Sequence, residues 1–205
     1  MPIRISHKAH PEDLTYHADL PDNKKYALLT IGRYSYGSEF FIHWEGEDSN
    51  VNIGRYCSIA QGVHFFAGQE HNTNWATSYP FSHIPAEWPE LRSLTGHPMT
   101  RGNISIGSDV WIGFGVSIRS GVKIGDGAVL GMNSVITRDV PPYAIVAGSP
   151  ATIVKFRFTE DIINQLCHLS WWNHPAESVR KIAPKLCQPL NDSILRELHT
   201  EINQQ

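Results

Sequence analysis

The sequence predicts an all-β-dominated fold: a parallel β-helix of hexapeptide repeats, interrupted by an inserted loop and followed by a helical tail. Three columns of residues predict it. Aliphatic side chains recur every six positions at Ile106, Ile112, Ile118, Ile124, Leu130 and Ile136. The residue after each reads Gly107, Gly113, Arg119, Gly125, Gly131 and Thr137, so glycine fills four of those six places. The residue four beyond each aliphatic is small or β-branched: Val110, Val116, Val122, Ala128, Ser134 and Val140. Neither a period of 3.6 nor alternation by two accounts for all three columns, whereas a fixed internal period marks a solenoid. Each six-residue unit supplies one short strand and one corner. The aliphatic residue points inward, the small residue fits where the wall turns, and glycine accepts the corner dihedrals at little steric cost. Three units close one triangular coil, and stacked coils bury their core in one dimension.

Taken in chain order, residues 1–30 are rich in polar groups and read as a loosely structured N-terminal segment, a lid. The β-helix occupies 31–156, with "TIGRYS" at Ile31–Gly32 as its first rung. The phase then breaks over 34–50, "YSYGSEFFIHWEGEDSN". Ile53, Ile59 and Phe65 restore it, with Gly54 in the glycine column and Cys57 and Val63 in the small column. It is lost again over an inserted loop, 67–103, which carries Pro80, Pro85, Pro89 and Pro98 and the aromatics Trp75, Tyr79, Phe81 and Trp88. A loop of this length is either functional or disordered. Its aromatic content argues against disorder, so the reading is an ordered arm packed on a neighbour. The tail, 157–205, opens on Thr159 as an N-cap with Glu160 and Asp161 in the first turn. Ile162, Ile163, Leu166 and Leu169 form one apolar face. A second helix follows Pro175 and is disturbed at Pro184, and a third begins at Asp192.

Composition bounds the function. Hydrophobic residues make up 41% of the chain and charged residues 18%, the latter below the usual quarter or so, which fits surface hidden in an oligomer. A net charge of −3 without runs of one sign gives no electrostatic support to a nucleic-acid or anionic-membrane partner. The opening "MPIRISHKAHPEDL" lacks the apolar core of a signal peptide, and no apolar run approaches the roughly 20 residues that span a bilayer. Cys57, Cys167 and Cys187 are odd in number and widely spaced. They read as reduced, buried thiols of a cytoplasmic protein rather than a disulfide framework or thiolate metal site.

Four stretches carry a more specific signal: "IGRYSYGS", "IGRYCSIAQGVHFFAGQEHNTNWATSYPF", "IGSDVWIGFGVSIRSGVKIGDGAVLGMNSVITRDVPPYAIVAGSPATIVKFRF" and "LSWWNHP". In content, order and the position of the inserted loop they resemble the xenobiotic acetyltransferase branch of the hexapeptide acyltransferases, which includes type B chloramphenicol and streptogramin acetyltransferases. The resemblance covers nearly all of residues 30–175. It implies a left-handed β-helix, a homotrimer with active sites between subunits, acetyl-CoA as co-substrate in the groove between two prisms, no metal, and a small-molecule hydroxyl acceptor entering from the loop side. It also implies that His71, in "GQEHNTNW", is the catalytic residue. A positioned imidazole takes a hydroxyl proton and returns one to the leaving thiolate, and its ordinary pKa suits both tasks. No serine or cysteine stands in a nucleophile elbow, so the expected route is direct transfer without an acyl-enzyme.

The same resemblance assigns cofactor contacts to Trp111, Gly113, Gly115, Gly131, Ser134, Thr137, Arg138 and Ser149, the last in "GSPA" where many members read "GNPA". Thr152 stands where many have arginine, which leaves Lys155 and Arg157 to meet phosphates. Acceptor contacts fall on Tyr34, Tyr36, Asn72 and Trp75. Each has a plainer alternative. The tyrosines can be packed on the prism, Trp111 can be an outward aromatic at an interface, and Lys155 and Arg157 can be a solvated edge. His64 is structural or pocket-lining, and His83 and His97 are surface or interface groups. Glu70 neighbours His71, but adjacent side chains seldom face each other, so a backbone carbonyl is the better candidate to hold the second imidazole nitrogen. Three further functions compete: acetylation of a cell-surface or nucleotide-linked sugar, a zinc carbonic anhydrase of the same prism fold, and a scaffold without activity. The zinc enzyme needs several histidines at ligand spacing, and no HxxxxH pair occurs.

Overall fold

The computed structural model describes residues 3–5, 12–17, 28–43 and 49–203. It divides into two units, Met1–Phe156 and Arg157–Gln205. The first is built on three parallel ladders. One holds β3 (Leu28–Ile31), β5 (Val51–Ile53), β8 (Ile104–Ile106) and β11 (Lys123–Ile124). The second holds the start of β4 (Tyr36–His43), β6 (Ser58–Ile59), β9 (Trp111–Ile112), β12 (Val129–Leu130) and β14 (Ala144–Gly148). The third holds the end of β4, β7 (His64–Phe66), β10 (Ser117–Arg119) and β13 (Val135–Ile136). The chain visits the ladders in turn, so Ile106 pairs with Ile124, Ile112 with Leu130 and Ile118 with Ile136. Across the inserted loop the same register resumes: Ile53 pairs with Ile106, Ile59 with Ile112 and Phe65 with Ile118.

β4 belongs to two ladders because it turns a corner inside one strand. Tyr36 and Gly37 pair with β6, and Phe41, Ile42 and His43 pair with β7. Between them Glu39 adopts φ 43 and Phe40 is fully buried. At the far edge β15 (Ala151–Phe156) folds back antiparallel on β14, so "GSPA" forms a hairpin turn rather than a further rung. Of residues 1–30, β1 (Ile3–Ile5) pairs antiparallel with β4 and β2 (Leu14–His17) with β3. These segments are sheet, not lid; residues 1–2, 6–11 and 18–27 of the expected lid, and residues 44–48 of the first break, lie outside the described residues.

Both inward columns are buried. Ile106 to Ile136 and Val110 to Val140 are each at most 5% exposed. The glycine column has a different cause from the one expected. Gly54, Gly107, Gly113, Gly125 and Gly131 do not have positive φ. They are where successive coils approach most closely: a Cβ on Gly54 would lie 2.5 Å from the Gly107 carbonyl carbon, and one on Gly125 2.4 Å from the Pro142 nitrogen. The corner dihedral falls two residues later. Tyr34, Tyr56, Gly62, Asp109, Gly115, Gly121, Gly127 and Asn133 all have φ between 56 and 76, and Gly, Asn and Asp tolerate that region best.

The second unit comprises α1 (Glu160–Leu169), α2 (Ala176–Leu186) and α3 (Asp192–Asn203). Thr159 precedes α1 in extended conformation but makes no side-chain cap. Pro184 lies within α2 rather than ending it. Leu169, Ile182, Leu198 and Ile202 form the core of this unit, and Lys185 ties α2 to α3 through Glu197 and Glu201. No helix among the described residues is long and apolar enough to cross a membrane.

Candidate active site

The inserted loop leaves the third ladder after Phe66 and returns at Ile104, and its two ends are pinched together. The amides of Ala67 and Gly68 donate to the His43 carbonyl, and the Ser49 and Thr100 hydroxyls donate to the Ala67 carbonyl. Glu70 and Met99 then exchange two backbone bonds of 3.0 and 2.8 Å. Beyond this neck the arm is ordered by its aromatics, as expected. The Trp75 ring lies against Gly96, whose Cβ would fall 2.9 Å from it. Tyr79 meets Phe81 at 4.7 Å between centroids, and Phe81 meets Trp88 at 5.1 Å.

His71 is the first residue past the neck. Its Nδ1 lies 2.6 Å from the Ser78 carbonyl oxygen, and its ring meets His97 edge-on at 4.4 Å. A carbonyl only accepts, so Nδ1 carries the proton and, in the neutral ring, Nε2 keeps the lone pair. His71 lines an open cleft of about 390 Å³ with Glu70, Thr73, Ser117, Arg119 and Thr137. A neutral imidazole with its second nitrogen fixed as donor is suited to accept a proton from a bound hydroxyl.

Glu70 does not face His71. It turns to the prism, where Arg119 binds it through Nε at 3.2 Å and Nη2 at 2.6 Å, and where Ser120 Oγ and Arg101 Nε also donate to it. Burial pulls this carboxyl upward, but the hydrogen bonds from Arg119 and Ser120 outweigh burial and hold it below its ordinary value. Alongside, Phe41, His64, His43 and Phe66 stack on the third ladder with adjacent centroids 4.5 to 5.1 Å apart. The His43 and His64 rings share a 2.8 Å hydrogen bond. Burial, and then His64, push the His43 imidazole down, which favours its neutral form.

The other expected site residues separate by ladder. Thr137 joins His71 in the cleft. Tyr36, Trp111 and Lys155 lie in one register row of the second ladder, through Ser58, Val129 and Ile145. Five strand spacings of about 4.8 Å make that row about 24 Å long. Tyr34 sits at a corner, stacked on Tyr56 at 4.9 Å. Asn72 accepts from the Asn74 amide and so shapes the turn after His71. Gly113 and Gly131 lie where coils touch, and Gly115 at a corner with φ 67. Arg138 is exposed, and Ser149 lies in the β14–β15 turn. Arg157 belongs to the second unit, its guanidinium 5.3 Å from the Phe158 ring. Ser134 is 0% exposed and its Oγ accepts from the Gly148 amide, so its side chain belongs to the inward column. Among the described residues no group of three or more His, Cys, Asp or Glu is placed to hold a metal ion.

Arg119 joins the site without having been among the expected residues, although the sequence carries a signal for it. Arg119 and Thr137 are the two exceptions in the glycine column, and both fall on the third ladder and line the cleft. Phe66 takes the equivalent place one coil earlier and lines it too. On the third ladder, where the repeat gives up glycine at Phe66, Arg119 and Thr137, an outward side chain lines the cleft.

The family model for the bacterial transferase hexapeptide (six repeats) matches residues 103–138. A chloramphenicol acetyltransferase of Morganella morganii is 38% identical over 182 residues, covering 82% of this chain and 86% of that protein. The chain belongs to the xenobiotic acetyltransferase branch of the hexapeptide-repeat acyltransferases. A second relative of this acetyltransferase, the virginiamycin A acetyltransferase of Staphylococcus aureus, is 36% identical over 166 residues, covering 76% of this chain and 75% of its own. Among solved structures, the N-acyltransferase AntD of Bacillus cereus, in complex with dTDP and 3-hydroxybutyryl-CoA, aligns with a TM-score of 0.51 at 22% identity, covering 71% of this chain and 72% of that one. That likeness is one of fold.

Proposed function

We propose that this acetyltransferase moves an acetyl group from acetyl-CoA to a hydroxyl of a small-molecule antibiotic, by direct transfer with His71 as general base. The observation that carries the proposal is the bond between His71 Nδ1 and the Ser78 carbonyl, which leaves Nε2 as the proton acceptor in an open cleft. As the acceptor oxygen attacks the thioester carbon, Nε2 takes its proton. The tetrahedral intermediate then expels the thiolate, which receives that proton back. Such assistance is worth about 10²–10⁴-fold, with alignment of the two substrates supplying much of the rest. The acceptor class rests on the relatives' names, chloramphenicol and virginiamycin A acetyltransferase.

The same reading includes a left-handed β-helix, a homotrimer and a cytoplasmic site of action. Two features support the trimer. The row of Tyr36, Trp111 and Lys155 and the cleft of His71 and Thr137 lie on different ladders of one copy, so a neighbouring copy is needed to bring a cofactor row to a cleft. In addition, Trp111, Met132 and Val154 are 58%, 73% and 62% exposed, an apolar display that marks an interaction surface. Free thiols at Cys57 and Cys187 support a reducing compartment. Thiol release from acetyl-CoA in the presence of chloramphenicol or virginiamycin A tests the function. Release that requires the antibiotic, with an acetylated product, is the expected result. No release with either, but turnover with a sugar acceptor, would overturn the antibiotic reading.

A further inference from the structure

We propose that Glu70 is the positioning residue of His71: one carboxylate that locks the neck of the arm to the prism and thereby fixes where the imidazole stands. The proposal rests on His71 being the base. Three parts of the chain converge on Glu70. Its own backbone, on the outgoing side of the loop, bridges to Met99 on the returning side. Arg101, two residues further along that returning side, donates Nε to Glu70 Oε2 at 3.1 Å. Arg119 and Ser120, at the end of β10, bind both carboxylate oxygens. The Arg101 amide also donates to Ser120 Oγ at 2.9 Å, so that hydroxyl passes a bond from the returning segment to the carboxylate.

The geometry makes the carboxylate a junction. Isolated exposed ion pairs contribute little, but this one is bidentate to Arg119, its carboxylate side chain is only 17% exposed, and its Ser120 partner is itself held by the Arg101 amide. Bidentate, charge-assisted bonds add geometric specificity as well as energy. His71 follows directly in the chain, and seven residues on Ser78 holds its Nδ1. The position of Nε2 over the cleft is therefore set from two directions, by the neck below and the turn above. Loosening the neck moves the imidazole relative to both substrates without removing any group that touches them. Displacements of this kind, near 1 Å, cost about 10²-fold in rate.

The test combines Glu70→Gln and Arg101→Met with steady-state kinetics and the ¹⁵N shifts of the His71 imidazole, which report its tautomer. Arg101 is not among the residues lining the cleft, so its variant probes the neck alone. The expected result is a fall in kcat of about 10-fold to 10²-fold for Glu70→Gln, an unchanged KM for acetyl-CoA, and a mixed tautomer in place of the Nδ1-protonated one. Arg101→Met should lower kcat less, and should add little in the Glu70→Gln background because the two act as one unit. Wild-type kcat and tautomer in Glu70→Gln would overturn the proposal. So would a raised KM for acetyl-CoA with kcat intact, because the carboxylate would then act on cofactor binding. His71→Ala separates the two readings. If it abolishes turnover while Glu70→Gln is normal, only the positioning role fails; if it is fully active, the base assignment fails first.

Discussion

Replacing Gly125 by alanine would place a methyl group 2.4 Å from the nitrogen of Pro142 and 2.7 Å from its Cα and Cδ. Those atoms are backbone and ring, which cannot swing aside, so two coils must part locally. Overpacking of this kind costs about 1–3 kcal/mol, and a contact this short belongs at the upper end. For a chain of this length each kcal/mol lowers the melting midpoint by about 2–4 °C, giving a fall of about 6–12 °C. Gly62 supplies the contrast. It has φ 73, and the nearest atom to a Cβ there is 3.8 Å away. Asp109 and Asn133 already hold the same conformation at equivalent corners, so Gly62→Asn should lower the midpoint only slightly. Thermal unfolding followed by circular dichroism at one protein concentration measures both. If Gly125→Ala melts with the wild type, or Gly62→Asn falls as far as Gly125→Ala, the separation of close-approach glycines from corner glycines is wrong.

Two further outcomes follow from the same geometry. Burial pushes the Cys57 thiol up to about 12, and its Sγ donates to the Gly107 carbonyl at 3.1 Å; a thiol reagent should therefore modify exposed Cys187 quickly and Cys57 only in denaturant, and rapid native labelling of Cys57 would contradict its burial. Because the Glu70 carboxyl is held below its ordinary value, its stabilisation is fully present above the ordinary carboxylate range, fades as pH falls below that range and is gone once pH has fallen through the lowered value. The wild type should lose melting temperature in that acid range more steeply than Glu70→Gln, and identical acid profiles would argue against the clamp.

Much of the prism was legible because a solenoid repeats its constraints: every coil needs an aliphatic residue inside and a bare backbone where the next coil touches. Those two columns run from Ile106 to Ile136 without a lapse in the first and with two in the second. The corner column was harder to see because four residue types fill it, with Tyr56, Asp109 and Asn133 among the glycines, and the dihedral rather than the side chain is what they share. β4 hid its corner because Glu39 carries no turn signal. At the site, the resemblance pointed to His71, and its alternative of a backbone carbonyl for the second nitrogen is met by Ser78. The clamp was out of reach of periodicity, since Glu70 meets Arg119 and Ser120 across 49 and 50 residues of chain. Ser134 shows the converse: the period alone places it in the inward column, where the structure buries it with its hydroxyl on the Gly148 amide.

The role of His71 is tested most directly by the turnover of His71→Ala, measured as antibiotic-dependent thiol release from acetyl-CoA near neutral pH beside the wild type. Loss of about 10²–10⁴-fold in kcat with the KM for acetyl-CoA unchanged is the predicted result, because the variant keeps both binding surfaces and lacks only the proton acceptor. A His71→Ala protein that turns over at the wild-type rate would contradict it.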